Sequence, residues 1–254
     1  MLKQSRVALA CLTLALLPFP AARAEGVAGY SQCVALVQKN PALAEERARA
    51  WQDEGGGAAA IHCSALALTA LKRYAEAARA LDALARDKAV GNNLDRATLF
   101  DQAGNAWLLA GLGNNAVQSF SAALGRDPNN VDFLAGRAQA CAMQKDWAGA
   151  EADLSTALLK DQNRADLMVL RASARWALNR KEDAATDILR ALELYPDYPA
   201  ALIERGRMKY EAGDKNGARA DWKKAVATGQ GDVADDARRN LAALNAESKP
   251  VSAK

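Results

Sequence analysis

Few residues in this 254-residue chain carry the chemistry of catalysis. His62 is the single histidine and Cys63 follows it directly, so a base stands beside a nucleophile in the sequence. On a helix, consecutive side chains point about 100° apart. The imidazole and the thiol therefore cannot meet on one substrate atom, as a nucleophile and its base must. A zinc site built from His62, Cys33 and Cys63 fails on the same geometry and lacks a fourth ligand. Carboxylates such as Glu182, Asp183 and Asp187 lie among cations such as Arg190, the arrangement of a solvated helix face. Gly55, Gly56 and Gly57 have neither the spacing nor the lysine of a phosphate-binding loop and read as a linker. The expectation is a protein that is not an enzyme, with no catalytic, cofactor-binding or metal-binding residues.

The remaining residues must be positioned by helices. Half of the chain is hydrophobic and only 6% is aromatic; with abundant alanine, that composition suits closely packed helices. No stretch alternates Val, Ile and Thr as a strand would, so the expected fold class is all-α. Residues 1–24 read as a cleaved signal peptide. Lys3 and Arg6 precede an apolar run from Val7 to Leu17, Pro18 and Pro20 close it, and Ala22-Arg23-Ala24 has the small-x-small form of a cleavage site. The run is too short to span a bilayer of roughly 30 Å. Export is expected, to the periplasm or as a secreted protein, with no membrane span. Cleavage would remove Lys3, Arg6 and Arg23 and no acid, leaving 30 basic and 30 acidic residues. A formally neutral chain has no electrostatic footprint for nucleic acid or anionic lipid.

Offset by 34 residues, the chain matches itself in four consecutive windows starting at Ala97, Val131, Ala165 and Pro199. Such a period is that of a solenoid. A weaker window begins at Ala58 and is followed by a five-residue insertion, Asn92 to Arg96. The eighth position is small (Ala65, Gly104, Ala138, Ala172, Gly206) and the twentieth is alanine (Ala77, Ala116, Ala150, Ala184, Ala218). Small residues there let two helices of a hairpin approach closely. The fourth position (Ile61, Phe100, Leu134, Met168, Leu202) and the twenty-fourth (Leu81, Phe120, Leu154, Ile188, Trp222) are large and apolar, filling the space between hairpins. Gly111-Leu112-Gly113, Asn179-Arg180 and Gly213-Asp214 fall where the hairpins must turn.

These positions, with a small twenty-seventh and a frequent proline at the thirty-second, resemble the tetratricopeptide repeat family, of the type in secreted bacterial proteins. The window with Phe100, Gly104, Trp107, Ala116, Phe120, Ala123 and Pro128 carries the likeness most fully. The family's leucine at position seven is absent throughout, and position eleven holds Cys141, Arg175 and Lys209 in the later windows. The resemblance implies a right-handed superhelical solenoid of antiparallel helix hairpins, with about five to six repeats. A degenerate hairpin over 25–57 would precede repeats at 58–91, 97–130, 131–164, 165–198 and 199–231. A capping helix over 232–246 and a loose tail over 247–254 would follow.

Ligands would then lie along the concave groove of the first helices, lined by positions two, five, nine and twelve. Candidates are His62, Thr98, Asp101, Asn105, Leu108, Asp132, Gln139, Asp166, Ser173, Trp176, Arg207 and Tyr210. Some relatives grip a peptide carboxylate with lysine at position five and asparagine at nine. Asn105 fits that pattern, but Asp101 reverses the charge. Trp176 and Tyr210 offer contact area at small entropic cost, or else pack on the next hairpin.

Two further pairings stand out. Arg137, Arg171 and Arg205 at position seven accompany Asp153, Asp187 and Asp221 at position twenty-three in the same three windows, and the other windows lack both. The joint presence predicts an ion pair between the two helices of each hairpin; an arginine ladder for an acidic ligand is the alternative. Cys33 and Cys63 fall in corresponding helices of stacked neighbours, so a disulfide is expected there in an oxidising compartment, while Cys141 takes a core position. The function expected is a non-catalytic scaffold or adaptor of the cell envelope that binds a protein or peptide partner in its groove. The alternatives are a permanent structural subunit of an envelope complex and, behind it, an unusual enzyme.

Overall fold

Each hairpin turns at the same place by the same device. The fifteenth residue of all five windows has a left-handed backbone: Lys72 (φ 60°), Gly111 (φ 73°), Lys145 (φ 61°), Asn179 (φ 60°) and Gly213 (φ 87°). The next N–H reaches back five residues, as Arg73 N to Leu68 O at 2.8 Å and Asp146 N to Cys141 O at 2.9 Å. This closes the first helix with its last carbonyls satisfied. Asp146 and Asp214 then cap the second helices, accepting from the N–H groups of Gly149 and Gly217.

The computed structural model describes residues 29–247 except 89 and 92. The expected signal peptide, 1–24, and residues 248–254 of the tail lie outside the described residues. Thirteen helices and no strand occur among the described residues. They form six hairpins: α1 (Tyr30–Lys39) with α2 (Pro41–Asp53), α3 (Gly57–Ala70) with α4 (Tyr74–Arg86), and α5 (Asn93–Leu109) with α6 (Gly113–Leu124). Next come α7 (Val131–Met143) with α8 (Trp147–Lys160), α9 (Ala165–Ala177) with α10 (Lys181–Leu194), and α11 (Pro199–Glu211) with α12 (Lys215–Thr228). The closing helix is α13 (Gly231–Glu247). First helices pack on first helices, α1 on α3, α5 on α7, α7 on α9 and α9 on α11. They form one layer of the solenoid and the second helices form the other.

The repeat positions do what their sizes require. The five alanines at position twenty are buried, as are Leu81, Phe120, Leu154, Ile188 and Trp222 at position twenty-four. Phe120 is the tightest case. A Cβ added to Gly104 would lie 2.8 Å from its ring, and one added to Gly136 on the neighbouring hairpin would strike the ring from the other side. Gly206 meets Trp222 in the same way. Half of these side chains join one core running from Ala65 to Ala237, and the others form smaller clusters around Phe120 and Trp222.

Two details differ from expectation. The insertion at 92–96, left outside the windows, joins the following repeat: residues 93–96 extend the start of α5 and make it four residues longer than α7. The closing helix also runs to Glu247, taking in the first residue of the expected tail. Its Ala234, Ala237 and Leu244 are buried, while Asp235, Asp236, Arg238 and Arg239 face solvent.

The shared turn generates a stability test. An L-residue in the left-handed region costs about 1 kcal/mol, which glycine avoids. Lys145→Gly should therefore stabilise the protein by about 0.5–1 kcal/mol in urea unfolding, and Gly111→Ala should destabilise it by a similar amount.

Candidate functional site

Arg137 donates from Nε and Nη2 to the two oxygens of Asp153, both at 2.7 Å. Arg171 grips Asp187 at 2.9 and 2.6 Å, and Arg205 grips Asp221 at 2.9 and 2.7 Å, with the same fork geometry. All three aspartates are buried. Arg137 and Arg171 also reach Ser121 and Ser155 on the preceding second helix, tying neighbouring hairpins together. Two of the three departures at position eleven belong to the same network. Arg175 gives Asp187 another bond at 2.8 Å, and Lys209 lies 2.8 Å from Asp221. The arginines are thus committed within the framework, which leaves no ladder for an acidic ligand.

The windows lacking these pairs have a substitute that sequence comparison missed. Buried Asp82 of α4 accepts from Trp107 Nε1 and Ser119 Oγ, each at 2.9 Å, across the junction with α5 and α6. The only trace in the sequence is a serine at position twenty-three, where the later windows have aspartate.

The predicted groove residues fall on the layer of first helices, but their engagement differs. Asp132 and Asp166 are bridged by Arg164 at 3.0 and 2.8 Å. Asn105 donates to the carbonyl of Asp101 in its own helix, and Ser173 to that of Val169. Gln139 and Thr98 are exposed. Trp176 lies beneath the cations of Arg207 and Lys181, each 5.0 Å from its ring centre. Leu108 packs against the Leu68, Trp107 and Phe120 cluster. Tyr210 packs on Trp222 and its hydroxyl donates to Glu247 of α13, so its contact area is shared with the cap. Leu108 and Tyr210 therefore behave as packing residues more than as free groove contacts.

At the N-terminal end, the groove deepens into a recess of about 390 Å³. Tyr30, His62, Leu84, Leu99 and Gln102 are among its lining residues. His62 is held on both sides: Tyr30 Oη lies 2.7 Å from Nδ1 and Gln102 Oε1 lies 2.7 Å from Nε2. The Tyr30 and His62 rings stack with centres 5.7 Å apart. Next to His62, Cys63 is joined to Cys33 as a disulfide, with Cα atoms 6.2 Å apart. Both cysteines point into a small core with Ala48, Val37 and Trp51, and His62 points away from it. Cys141 is buried, and burial pushes its thiol pKa up, the opposite of activation.

Asp101 is the electrostatic exception. Burial first, then the neighbouring charge of Asp132, push its pKa up to about 6, with only the Asn105 amide opposing. No cation lies within ion-pair distance of it among the described residues, although most other groove carboxylates have one. A raised carboxyl pKa means that the folded state holds the proton more tightly than the unfolded chain. Stability therefore falls as pH rises through the interval from the unfolded value of 3.8 to about 6.

Two measurements follow. A double-mutant cycle on Arg171 and Asp187 should give a coupling of about 1–3 kcal/mol, with Asp187→Ala alone costing about 3 kcal/mol because it leaves the half-buried Arg171 without its carboxylate while Arg175 keeps only Glu151. Asp101→Asn should stabilise the protein by about 1 kcal/mol at pH 7.5, a figure reduced for solvent screening, and the gain should vanish near pH 4. Urea melts at the two pH values would show it.

Comparison with known proteins agrees with this architecture. Residues 108–175 match the tetratricopeptide repeat family model. The chain is 30% identical over 102 residues to RNA polymerase II-associated protein 3 of Rattus norvegicus, covering 40% of this chain and 16% of that protein. The chain thus spans about a sixth of the length of the curated relatives it matches. A tetratricopeptide repeat protein from Parabacteroides merdae superposes with a TM-score of 0.63 at 16% identity, over 85% of this chain and 84% of that one. YrrB, described as a tetratricopeptide repeat protein with an unusual peptide-binding site, superposes with a TM-score of 0.54 at 17% identity, over 78% and 96%. At these identities the structural likenesses speak for the fold. The family match over residues 108–175, the 34-residue period and the stacked hairpins together give the described residues the architecture of a tetratricopeptide-repeat solenoid.

Proposed function

We propose that this protein is a non-catalytic adaptor that holds a protein or extended peptide against the layer of first helices. The observation that carries the reading is the inner face itself. Polar and charged side chains from α5, α7 and α9 converge there on a pre-formed surface, with Arg164 linking Asp132 to Asp166 across two hairpins. A rigid surface of this kind binds without the cost of ordering itself. The peptide-binding site named for YrrB adds support from a protein of the same fold.

The setting we propose is the cell envelope. It rests on the charged start, short apolar run and small-x-small site of residues 1–24, and on the Cys33–Cys63 pairing, which persists in oxidising compartments.

The test is a photo-crosslinking residue placed at exposed Gln139 on α7 or, as control, at exposed Leu159 on α8 of the other layer. In intact cells, position 139 should capture a discrete protein partner and position 159 should not; equal capture at both would reject the groove. Mass analysis of the exported protein should show a chain starting at Glu25, with Cys33 and Cys63 two hydrogens lighter than free thiols.

A further inference from the structure

The recess at the N-terminal end of the inner face differs from the rest of that face. Its volume of about 390 Å³ is at the small end of ligand pockets, which span roughly 300–1,000 Å³. Leu84, Val90 and Leu99 give it apolar walls, and Ala58 and Ala59 leave its mouth unobstructed. One wall is an aromatic stack whose position is fixed from three helices. Tyr30 comes from α1 and His62 from α3, and Gln102 of α5 bonds the far side of the imidazole. Cys33 and Cys63 join α1 to α3 beside that stack. The recess is open to solvent on its outer side, so a partner side chain would lie against the stack rather than be enclosed.

Asp101 is not part of the recess lining, but it stands three residues after Thr98, which is, so it lies about one helical turn further along the same face of α5. It is half-buried, lies close enough to Asp132 to feel its charge, and has no cation of its own among the described residues. A carboxylate so placed is completed by a positive group brought in from outside.

We propose that this recess is the anchor pocket of a peptide site, taking one large apolar or aromatic side chain of a partner segment whose adjacent lysine or arginine pairs with Asp101. The proposal rests on the adaptor reading and names the chemistry of the partner: an apolar anchor in a basic context. The ring seats against the Tyr30 and His62 stack, and the flanking cation meets Asp101, since Asp132 already has Arg164. An acidic segment is repelled there, in contrast with relatives that hold a peptide carboxylate.

The experiment uses fluorescein-labelled, capped pentapeptides and the full chain, read by anisotropy. The lysine-flanked tryptophan peptide should bind at least about tenfold more tightly than the same peptide with alanine as its centre or with glutamate flanks. Ala58→Phe, at an exposed position on the mouth, should weaken binding about tenfold with an unchanged melting curve. Asp101→Asn should weaken the lysine-flanked peptide several-fold and leave a glutamine-flanked one unchanged. Equal binding of the alanine-centred or glutamate-flanked peptide overturns the proposal, as does binding untouched by Ala58→Phe. An unbiased peptide array separates the two readings. Binders lost on Gln139→Arg but kept on Ala58→Phe would leave the adaptor reading standing and remove this pocket. An array with no binder would remove both.

Discussion

The solenoid depends on how closely the two helices of each hairpin approach, and that distance is set by side chains of almost no size. Alanine at position twenty and alanine or glycine at position eight are buried throughout. Against them stands a single large residue at position twenty-four. Phe120 shows the limit, since its ring occupies the volume a Cβ would need on both Gly104 and Gly136. Glycine inside a helix costs roughly 1 kcal/mol relative to alanine. Overpacking a core typically costs 1–3 kcal/mol, so glycine is the better choice wherever an aromatic ring fills the crossing. Trp222 against Gly206 repeats the solution at the other end of the stack.

Close approach creates a second constraint. The side of the second helix beside the crossing is shielded from water, and four hairpin junctions place a buried aspartate there. A buried carboxylate must be fully hydrogen-bonded or become a liability. Asp153, Asp187 and Asp221 each receive both arms of an arginine fork. Asp221 has a further cation in Lys209. Burial is the largest influence on it and pushes its pKa up, yet the bonds from Arg205 and Lys209 together hold it below the usual carboxylate value. Asp82 solves the same problem chiefly with neutral donors, an indole N–H and a hydroxyl at 2.9 Å, while Arg86 of its own helix stands further off at 3.6 Å. Charge pairing is thus one of two ways to satisfy the junction, and both bind neighbouring elements in a fixed register.

What could be read from the sequence followed from periodicity. The period, the hairpins, the closing helix and the arginine–aspartate pairs were legible because the same residue types recur at one spacing. The Asp82 network was not, because it occurs once and its members come from three helices around the insertion. Turns were legible at Gly111, Asn179 and Gly213, whose residue types favour a left-handed backbone. They were silent at Lys72 and Lys145, where the fold imposes that conformation on a side chain that does not ask for it. The insertion at 92–96 stood outside the windows because it interrupts the period. It became helix because α5 needs only a longer first turn to absorb it.

The groove was legible in position but not in behaviour, and the difference lies in partners. Residues at positions two, five, nine and twelve do fall on the layer of first helices, but a spacing rule cannot tell which of them will be occupied by neighbours. Tyr210 is drawn to the cap by Glu247, and Trp176 is covered by two cations from the flanking elements. Asp101 goes the other way: the residue that breaks the carboxylate-gripping pattern is the one the fold leaves without a cation. An acid is kept at a position where burial disfavours its ionisation. Local rules are broken in natural proteins chiefly where function requires it. The charge reversal at position five is therefore better understood as a change in the kind of partner than as a loss of binding.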